Sequence, residues 1–125
     1  MKIQENYLYT KDHEWLKIAG DEAYVGISEF ASHELGDIVY IECETVGETL
    51  DKGESFGTIE AVKTVADMYM PVSGEILEFN EALESQPELV NQDPYDKGWI
   101  IKIKMNDPSQ AGELMDAATY KTILP

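Results

Sequence analysis

Alternation of apolar and polar positions is clearest near residue 100. From Trp99 to Met105, apolar residues alternate with Lys102 and Lys104, which predicts a strand with one buried face. Near the N-terminus, strand-like residues 15–18 and 23–27 flank turn-type residues at 19–22. This arrangement predicts a hairpin. Residues 37–42 predict a further strand.

Capping residues mark the predicted helices. Ser28 and Gly36 bracket a helix over residues 29–35, with His33 near its negative end and on the face opposite the buried one. The buried stripe should combine one residue of each pair, Phe30 or Ala31 and Glu34 or Leu35.

Further helix signals follow in the second half of the chain. Asn80 is expected to cap a helical turn over residues 81–85, and residues 91–98 have loop composition. Asp107, followed by proline, predicts a helix over residues 109–115. Asp116 is expected to cap another, over residues 117–123.

The central stretch, residues 57–67, has two interpretations. Its apolar residues follow helical spacing, whereas its β-branched residues favour a strand. Glycines precede the stretch, and Pro71 and Gly74 follow it, which favours two short strands joined by a tight turn. Lys63 would lie near the tip of this hairpin. By residue type alone, such a lysine is usually a solvated surface residue.

Charge narrows the range of partners. The chain has 25 acidic and 9 basic residues, giving a net charge of −16 and a pI near 4.2. This charge repels phosphate backbones and anionic lipid, so we expect neither a nucleic-acid nor a membrane partner. It keeps the chain in solution, and it would also steer the chain toward basic surfaces of partner proteins.

Few residues are suited to catalysis or metal binding. Cys43 is the single cysteine and lies in a strand-like run, where a small buried hydrophobe is expected. With two histidines and no phosphate loop or nucleophile elbow, we expect no metal site and no catalytic residues of the chain's own. No signal peptide or membrane-length apolar run is evident, so we expect a cytoplasmic protein.

The sequence around Lys63 matches a known pattern. It reads Glu60-Ala61-Val62-Lys63, then Asp67, then Pro71-Val72-Ser73-Gly74-Glu75. This pattern resembles the lipoyl-lysine hairpin of the glycine cleavage system H protein family. Other motifs continue the resemblance from about Tyr7 to Tyr120, in the family's order: Gly36-Asp37-Ile38-Val39-Tyr40, Val46-Gly47, Asn80-Glu81, Leu89-Val90-Asn91, Asp93-Pro94-Tyr95 and Gly98-Trp99-Ile100.

The resemblance implies a fold and a domain organisation. The fold would be mostly β (α+β), a lipoyl/biotinyl-type barrel-sandwich hybrid of two small antiparallel sheets. A short helix would follow the first hairpin, and helices would end the chain. Residues 1–125 would form a single lipoyl-carrier domain, which we expect to be a monomer.

The resemblance also implies a function. Lipoic acid attached to Lys63 by a lipoate ligase or octanoyl transferase would make the chain a shuttle, not an enzyme. It would accept an aminomethyl group from the pyridoxal-phosphate-dependent glycine decarboxylase (P protein) and present it to the tetrahydrofolate-dependent aminomethyltransferase (T protein). Dihydrolipoyl dehydrogenase (L protein) would then reoxidise the arm.

A sheltering cleft for the loaded arm is implied as well. Glu14, in His13-Glu14-Trp15, matches the family's acidic residue for the ammonium, and Asp67 matches a second polar contact. Without the family, Glu14 would be interpreted as a carboxylate at the surface end of a strand. The apolar side of the cleft would be lined by Ile27, Ala31 and Leu35, each of which could equally be an ordinary core residue.

This chain departs from the family's usual pattern at several positions. Ala61, Thr64 and Ala66 alter the hairpin, which leaves open the enzyme that recognises its tip. Cys43-Glu44 replaces a common Leu-Pro pair. Asp12 stands where a small residue often precedes the His-Glu-Trp motif, and its charge would act on Glu14.

The sequence leaves alternatives to a carrier that serves glycine cleavage. The nearest is an H-like lipoate carrier serving lipoate biosynthesis, lipoate relay or sulfur metabolism. Val62-Lys63-Thr64 differs from the Met-Lys-Met of biotin carriers and from the Asp-Lys-Ala of acyltransferase lipoyl domains. A purely structural domain would leave Lys63 unmodified.

Overall fold

Two antiparallel sheets and five short helices hold the chain in a computed structural model that describes residues 1–125. The strands are β1 (Leu8–Tyr9), β2 (Glu14–Ala19), β3 (Glu22–Ile27), β4 (Ile38–Glu42), β5 (Thr49–Leu50), β6 (Ser55–Ala61), β7 (Val65–Tyr69), β8 (Gly74–Phe79) and β9 (Ile101–Met105). The α-helices are α1 (Glu29–Leu35), α2 (Ala82–Ser85), α3 (Leu89–Gln92) and α4 (Ala117–Ile123), and a 3-10 helix spans Pro108–Glu113.

The larger sheet contains six strands in the order β1-β2-β3-β9-β8-β5. The predicted first hairpin is confirmed as β2 and β3, in which Trp15 pairs with Gly26. A side chain at Gly26 would place its Cβ 2.6 Å from the indole ring of Trp15, so glycine is what allows the ring to lie flat across the neighbouring strand. The predicted strand near residue 100 is β9, which pairs with both β3 and β8.

The smaller sheet contains three strands in the order β4-β6-β7. Strands β6 and β7 form the predicted central hairpin, with Glu60 paired to Val65 and Lys63 in the connection. A Cβ at Gly57 would collide with the carbonyl oxygen of Glu42 in β4. Glycine therefore permits the close pairing of β4 and β6, on which the hairpin rests.

Apolar residues from both sheets form one continuous core of 20 buried side chains. A second cluster is aromatic and joins the N-terminal strands to the C-terminal helix. In it, the rings of Tyr9 and Tyr120 stack with centroids 4.3 Å apart, and Tyr95 meets Tyr9 edge-on. Offset and edge-on aromatic pairs add to the stabilisation from apolar burial. Helix α4 is thereby fixed against β1.

Helix α1 has the predicted bounds and caps. The Ser28 hydroxyl accepts a hydrogen bond from the Ala31 N–H, and Gly36 closes the helix at φ +84°. His33 is exposed in the last turn, as predicted. The predicted stripe is confirmed in position by Ala31 and Leu35, which pack against the main core although each is only partly buried. The one fully buried residue of the helix is Ser32. The Asn91 side-chain amide donates to the Ser32 and Gly36 carbonyls at the end of the helix. The apolar residues of α1 are only half-buried.

Two other local predictions need correction. Residues 91 and 92 belong to α3 and not to a loop. The predicted helix over residues 109–115 is a 3-10 helix, Pro108–Glu113, although Asp107 caps it by accepting the Ser109 N–H. A 3-10 segment commonly serves as a connector between other elements, and this one connects β9 to α4. Helix α4 and its Asp116 cap are as predicted. None of the helices is long and apolar enough to span a bilayer.

Candidate functional site

Lys63 lies at the tip of the β6–β7 hairpin and is exposed. The Ala61 N–H donates to the Thr64 carbonyl at 2.8 Å, and the Val62 N–H donates to the Asp37 carbonyl at 3.2 Å. These bonds close the turn and tie it to the segment that precedes β4. No ion pair involves Lys63. Its primary amine is therefore accessible on a well-supported base.

Exposed apolar side chains surround this amine. Val62 is 71% exposed and Val65 is 60% exposed. Tyr40 of β4 is also exposed and lies in the row that pairs with Glu60 and Val65. Covering valine and tyrosine side chains with a second protein surface lowers the free energy, because apolar area is removed from water. The tip thus combines a free amine with apolar contact area.

Glu14, at the start of β2, is buried and only 3% exposed. Its Oε1 accepts the Thr10 hydroxyl at 2.6 Å, and its Oε2 accepts the Tyr69 backbone N–H at 3.2 Å. The surface position suggested by residue type alone is wrong. It fails because β7 covers the carboxyl group, and this contact spans 55 residues of sequence.

Burial raises the pKa of Glu14 to about 7, because water no longer solvates the ionised form. The hydrogen bonds from Thr10 and Tyr69 oppose this shift, since they favour the carboxylate. The nearby negative charge of Asp12 adds to it. Near neutral pH, both the protonated and the ionised form of Glu14 are therefore populated.

One cleft of about 350 Å³ includes all five residues that the resemblance assigns to the arm. It lies between the edge strand β7 and helix α1. Its predicted members are Glu14, Asp67, Ile27, Ala31 and Leu35. The structure thus brings the five together, with the buried carboxyl group of Glu14 beside the apolar side chains.

Asp67 occupies an exposed position of β7, and its Oδ1 accepts the Ser55 hydroxyl at 3.3 Å. It therefore contributes to the rim of the cleft and not to its interior. His33 is not among the residues that line the cleft.

Sequence reasoning did not place His13 in this cleft. His13 has a left-handed backbone, with φ +71°, which is uncommon for a residue with a side chain. Its Nδ1 lies 2.7 Å from the Tyr120 hydroxyl, which is also 2.7 Å from the Ser28 hydroxyl. Burial lowers the pKa of His13 and favours the neutral ring. The C-terminal helix therefore holds one wall of the cleft in place.

Thr10 was also missed, although the sequence contains a signal for it. Threonine often accepts a backbone N–H two residues further along, in a local turn. Here the Thr10 hydroxyl accepts the Asp12 N–H at 3.2 Å. Thr10 lines a second hollow, of about 450 Å³, which also includes Glu14.

No group of three or more histidine, cysteine, aspartate or glutamate side chains is arranged to hold a metal ion. Cys43 is half-buried and free, with its sulfur 3.5 Å from the Thr45 hydroxyl. The groups that can carry chemistry in this region are therefore the accessible Lys63 amine at the hairpin tip and the buried carboxyl group of Glu14 in the cleft.

The family model described as "Glycine cleavage H-protein" matches residues 7–125. The chain belongs to the glycine cleavage H-protein family. The family predicted from the Lys63 motif and from the other motifs along the chain is therefore confirmed.

Individual members of the H-protein family are similar along nearly the whole chain. The glycine cleavage system H protein of Bacteroides thetaiotaomicron is 56% identical over 124 residues, covering 99% of this chain and 98% of the relative. That of Staphylococcus carnosus is 47% identical over the same length, with the same coverage. A crystal structure of the H protein from Mycobacterium marinum has a TM-score of 0.88 and 39% identity, covering 96% of this chain and 97% of the other.

These relationships confirm the predicted fold of two antiparallel sheets with short helices. The H-protein relatives also support the predicted role in glycine cleavage. They do not favour the alternative of a lipoate relay or a carrier in sulfur metabolism.

Proposed function

We propose that residues 1–125 act as one cytoplasmic carrier domain in which Lys63 bears lipoic acid. The observation that carries this proposal is the exposed, unpaired Lys63 amine on a hairpin whose second strand, β7, borders a cleft with a buried carboxyl group. When bound, lipoic acid would supply a cyclic disulfide able to accept an aminomethyl group. The chain itself then holds and releases this cargo.

The residues present fit such an attached group. A lipoate ligase or octanoyl transferase needs an amine that it can enclose, and the tip offers one. Amide formation removes the lysine charge, so the arm can lie on apolar surface without the large penalty of desolvating an ammonium group. Strand β7 leads from the tip to Tyr69, which contacts Glu14. At about 3.3 Å per residue, the chain from Lys63 to Tyr69 covers roughly 20 Å at most, which bounds the reach that the arm needs.

Within the cleft, Glu14 is the residue suited to bind the ammonium of the cargo. Two hydrogen bonds orient its carboxylate, and a bound cation would favour the ionised form of this buried acid. The side chains of Ile27, Ala31 and Leu35 line the apolar side of the cleft and would exclude water from the labile aminomethyl group. Asp67 would provide a second polar contact at the rim.

The proposed partners are the other components of glycine cleavage. The P protein would deliver the aminomethyl group, the T protein would remove it, and the L protein would reoxidise the arm. The exposed apolar side chains around Lys63 offer these enzymes a contact surface. The net charge of −16 would steer the carrier toward basic entrances. The chain would work as a monomer and not as an enzyme.

The decisive experiment is intact-mass measurement with peptide mapping after incubation with lipoate, ATP and a lipoate ligase. We expect one lipoyl adduct, on Lys63, that is absent from Lys63→Arg. Lys97 is also exposed, so Lys97→Arg is the matched control and should be modified normally. Glycine-dependent loading by the P protein would then test the pathway. An adduct that persists in Lys63→Arg, or no adduct with either a ligase or an octanoyl transferase, would refute the proposal.

A further inference from the structure

The Thr10 hydroxyl makes three short polar contacts. It accepts the Asp12 N–H at 3.2 Å and the Glu14 N–H at 3.1 Å, and it lies 2.6 Å from Glu14 Oε1. A hydroxyl group has one proton and two lone pairs. Because the two N–H groups occupy the lone pairs, the proton can point only toward Glu14 Oε1.

The backbone of the same turn supports this geometry. The Thr10 N–H donates to the Glu14 carbonyl at 2.9 Å, and the His13 N–H donates to the Thr10 carbonyl at 3.1 Å. Thr10 is half-buried, so water competes weakly for its hydroxyl. The donor is therefore held in place before any ligand enters the cleft.

We propose that Thr10 is a positioning residue, whose hydroxyl holds the Glu14 carboxylate oriented and ionised for the ammonium of the cargo. This inference rests on the proposed carrier function and names a residue that acts through Glu14. The Thr10 hydroxyl need not touch the arm, because Thr10 lines the neighbouring hollow and not the cleft, whereas Glu14 lines both.

Loss of this hydroxyl would leave only backbone N–H groups as donors to the Glu14 side chain, that of Tyr69 at 3.2 Å and that of Glu14 itself. Since the Thr10 bond favours the carboxylate, its removal raises the pKa of Glu14 above about 7. A smaller ionised fraction would hold the ammonium less well, and the loaded arm would spend more time in water.

Other titratable groups surround Glu14 and must be separated from it in any pH experiment. Those in the arm cleft are Asp12, His13, Glu34 and Asp67. Those in the neighbouring hollow are Tyr9, Lys11, Lys52, Tyr69 and Glu113. The titration of Glu14 must therefore be observed at its own carboxyl carbon, and Glu14→Gln identifies that resonance by removing it.

The test compares Thr10→Val, which keeps the shape without the hydroxyl, with Thr10→Ser, which keeps the hydroxyl. In the unmodified chain, carbon NMR should show the Glu14 titration at higher pH in Thr10→Val and near its wild-type position in Thr10→Ser. In the lipoylated, loaded chain at neutral pH, Thr10→Val should lose the aminomethyl group to water roughly tenfold faster. Thr10→Ser should restore the wild-type rate.

A measurement on the wild-type chain covers the case in which Thr10→Val does not fold. The Thr10 hydroxyl proton should be protected from exchange, and its resonance should follow the Glu14 titration. An unchanged Glu14 titration in folded Thr10→Val, or a Thr10 resonance independent of Glu14, would overturn the role of Thr10 while lipoylation and loading stood. Failure of wild-type lipoylation would instead refute the carrier function on which this inference rests.

Discussion

The Tyr69 backbone N–H donates a 3.2 Å hydrogen bond to Oε2 of Glu14. Glu14 starts β2 of the larger sheet, whereas Tyr69 ends β7, the edge strand of the smaller sheet. One buried carboxyl group therefore satisfies part of an exposed strand edge and joins the lysine hairpin to the other sheet. A change in the protonation of Glu14 acts directly on this junction.

The first prediction concerns Glu14→Gln. The pKa of Glu14 is about 7 in the folded protein, above its ordinary 4.5, so folding takes up a proton between these pH values. The contribution of this proton uptake to the free energy of unfolding is fully present below pH 4.5. It is lost as pH rises through 7, and the total loss is roughly 3 kcal/mol at most. Glutamine does not ionise and keeps an acceptor. Urea unfolding should show Glu14→Gln gaining stability relative to wild type at pH 8 but not at pH 4.5.

Exposed Glu44 provides the control for this measurement. Glu44→Gln should change the free energy of unfolding by less than about 0.5 kcal/mol at either pH. An equal effect of Glu14→Gln at both pH values would mean that Glu14 ionises normally.

The second prediction concerns Asp12, which lines the cleft together with Glu14. Its negative charge raises the pKa of Glu14, because a like charge disfavours the ionised form. Asp12→Asn should lower the pKa of Glu14 below that of the wild type, as measured by carboxyl-carbon NMR. Asp21→Asn, in the turn between β2 and β3, should leave it unchanged. A pKa that stays constant or rises in Asp12→Asn would contradict the assigned electrostatic effect.

The third prediction concerns the support of the lysine hairpin. Gly57→Ala would force a Cβ into the carbonyl oxygen of Glu42, whereas Gly112 has open space around it. Gly57→Ala should therefore lower the free energy of unfolding by roughly 2–4 kcal/mol, and Gly112→Ala should stay within about 0.5 kcal/mol of wild type. Thermal unfolding of both variants would measure this. Similar melting temperatures would show that β4 and β6 can separate at little cost.

The fourth prediction concerns Tyr120, whose hydroxyl lies between His13 and Ser28. Tyr120→Phe keeps the stack on Tyr9 but removes that hydroxyl, so it should cost roughly 1–2 kcal/mol of stability. It should also change the nitrogen resonances of the His13 ring, which NMR detects. Tyr40→Phe alters an exposed ring and should do neither. Unchanged His13 resonances in Tyr120→Phe would argue against the contact.

Local signals in the sequence predicted local structure. The bounds of α1 and α4 follow from Ser28 and Asp116, whose side chains cap the next turn in the structure as expected. The hairpins follow from glycine and turn residues next to strand-like runs. The strand order β9-β8-β5 depends on pairing between distant segments, which periodicity does not specify.

The candidate site likewise has features that the sequence predicted and features that it did not. The motif around Lys63 predicted its position on a hairpin, and the resemblance grouped the five cleft residues that the structure places together. Burial of Glu14 was not predictable from residue type, because it comes from a strand 55 residues away. The role of Thr10 in the turn was accessible in part, since its bond to the Asp12 N–H is local.

The raised pKa of Glu14 has a consequence for the proton balance of the carrier. Near pH 7, Glu14 is divided between its protonated and ionised forms. In the proposed role, a cation that enters would select the ionised form, so each loading event would release part of a proton on average, and each unloading event would take it back. The carrier would thereby exchange protons with the solvent in step with its cargo.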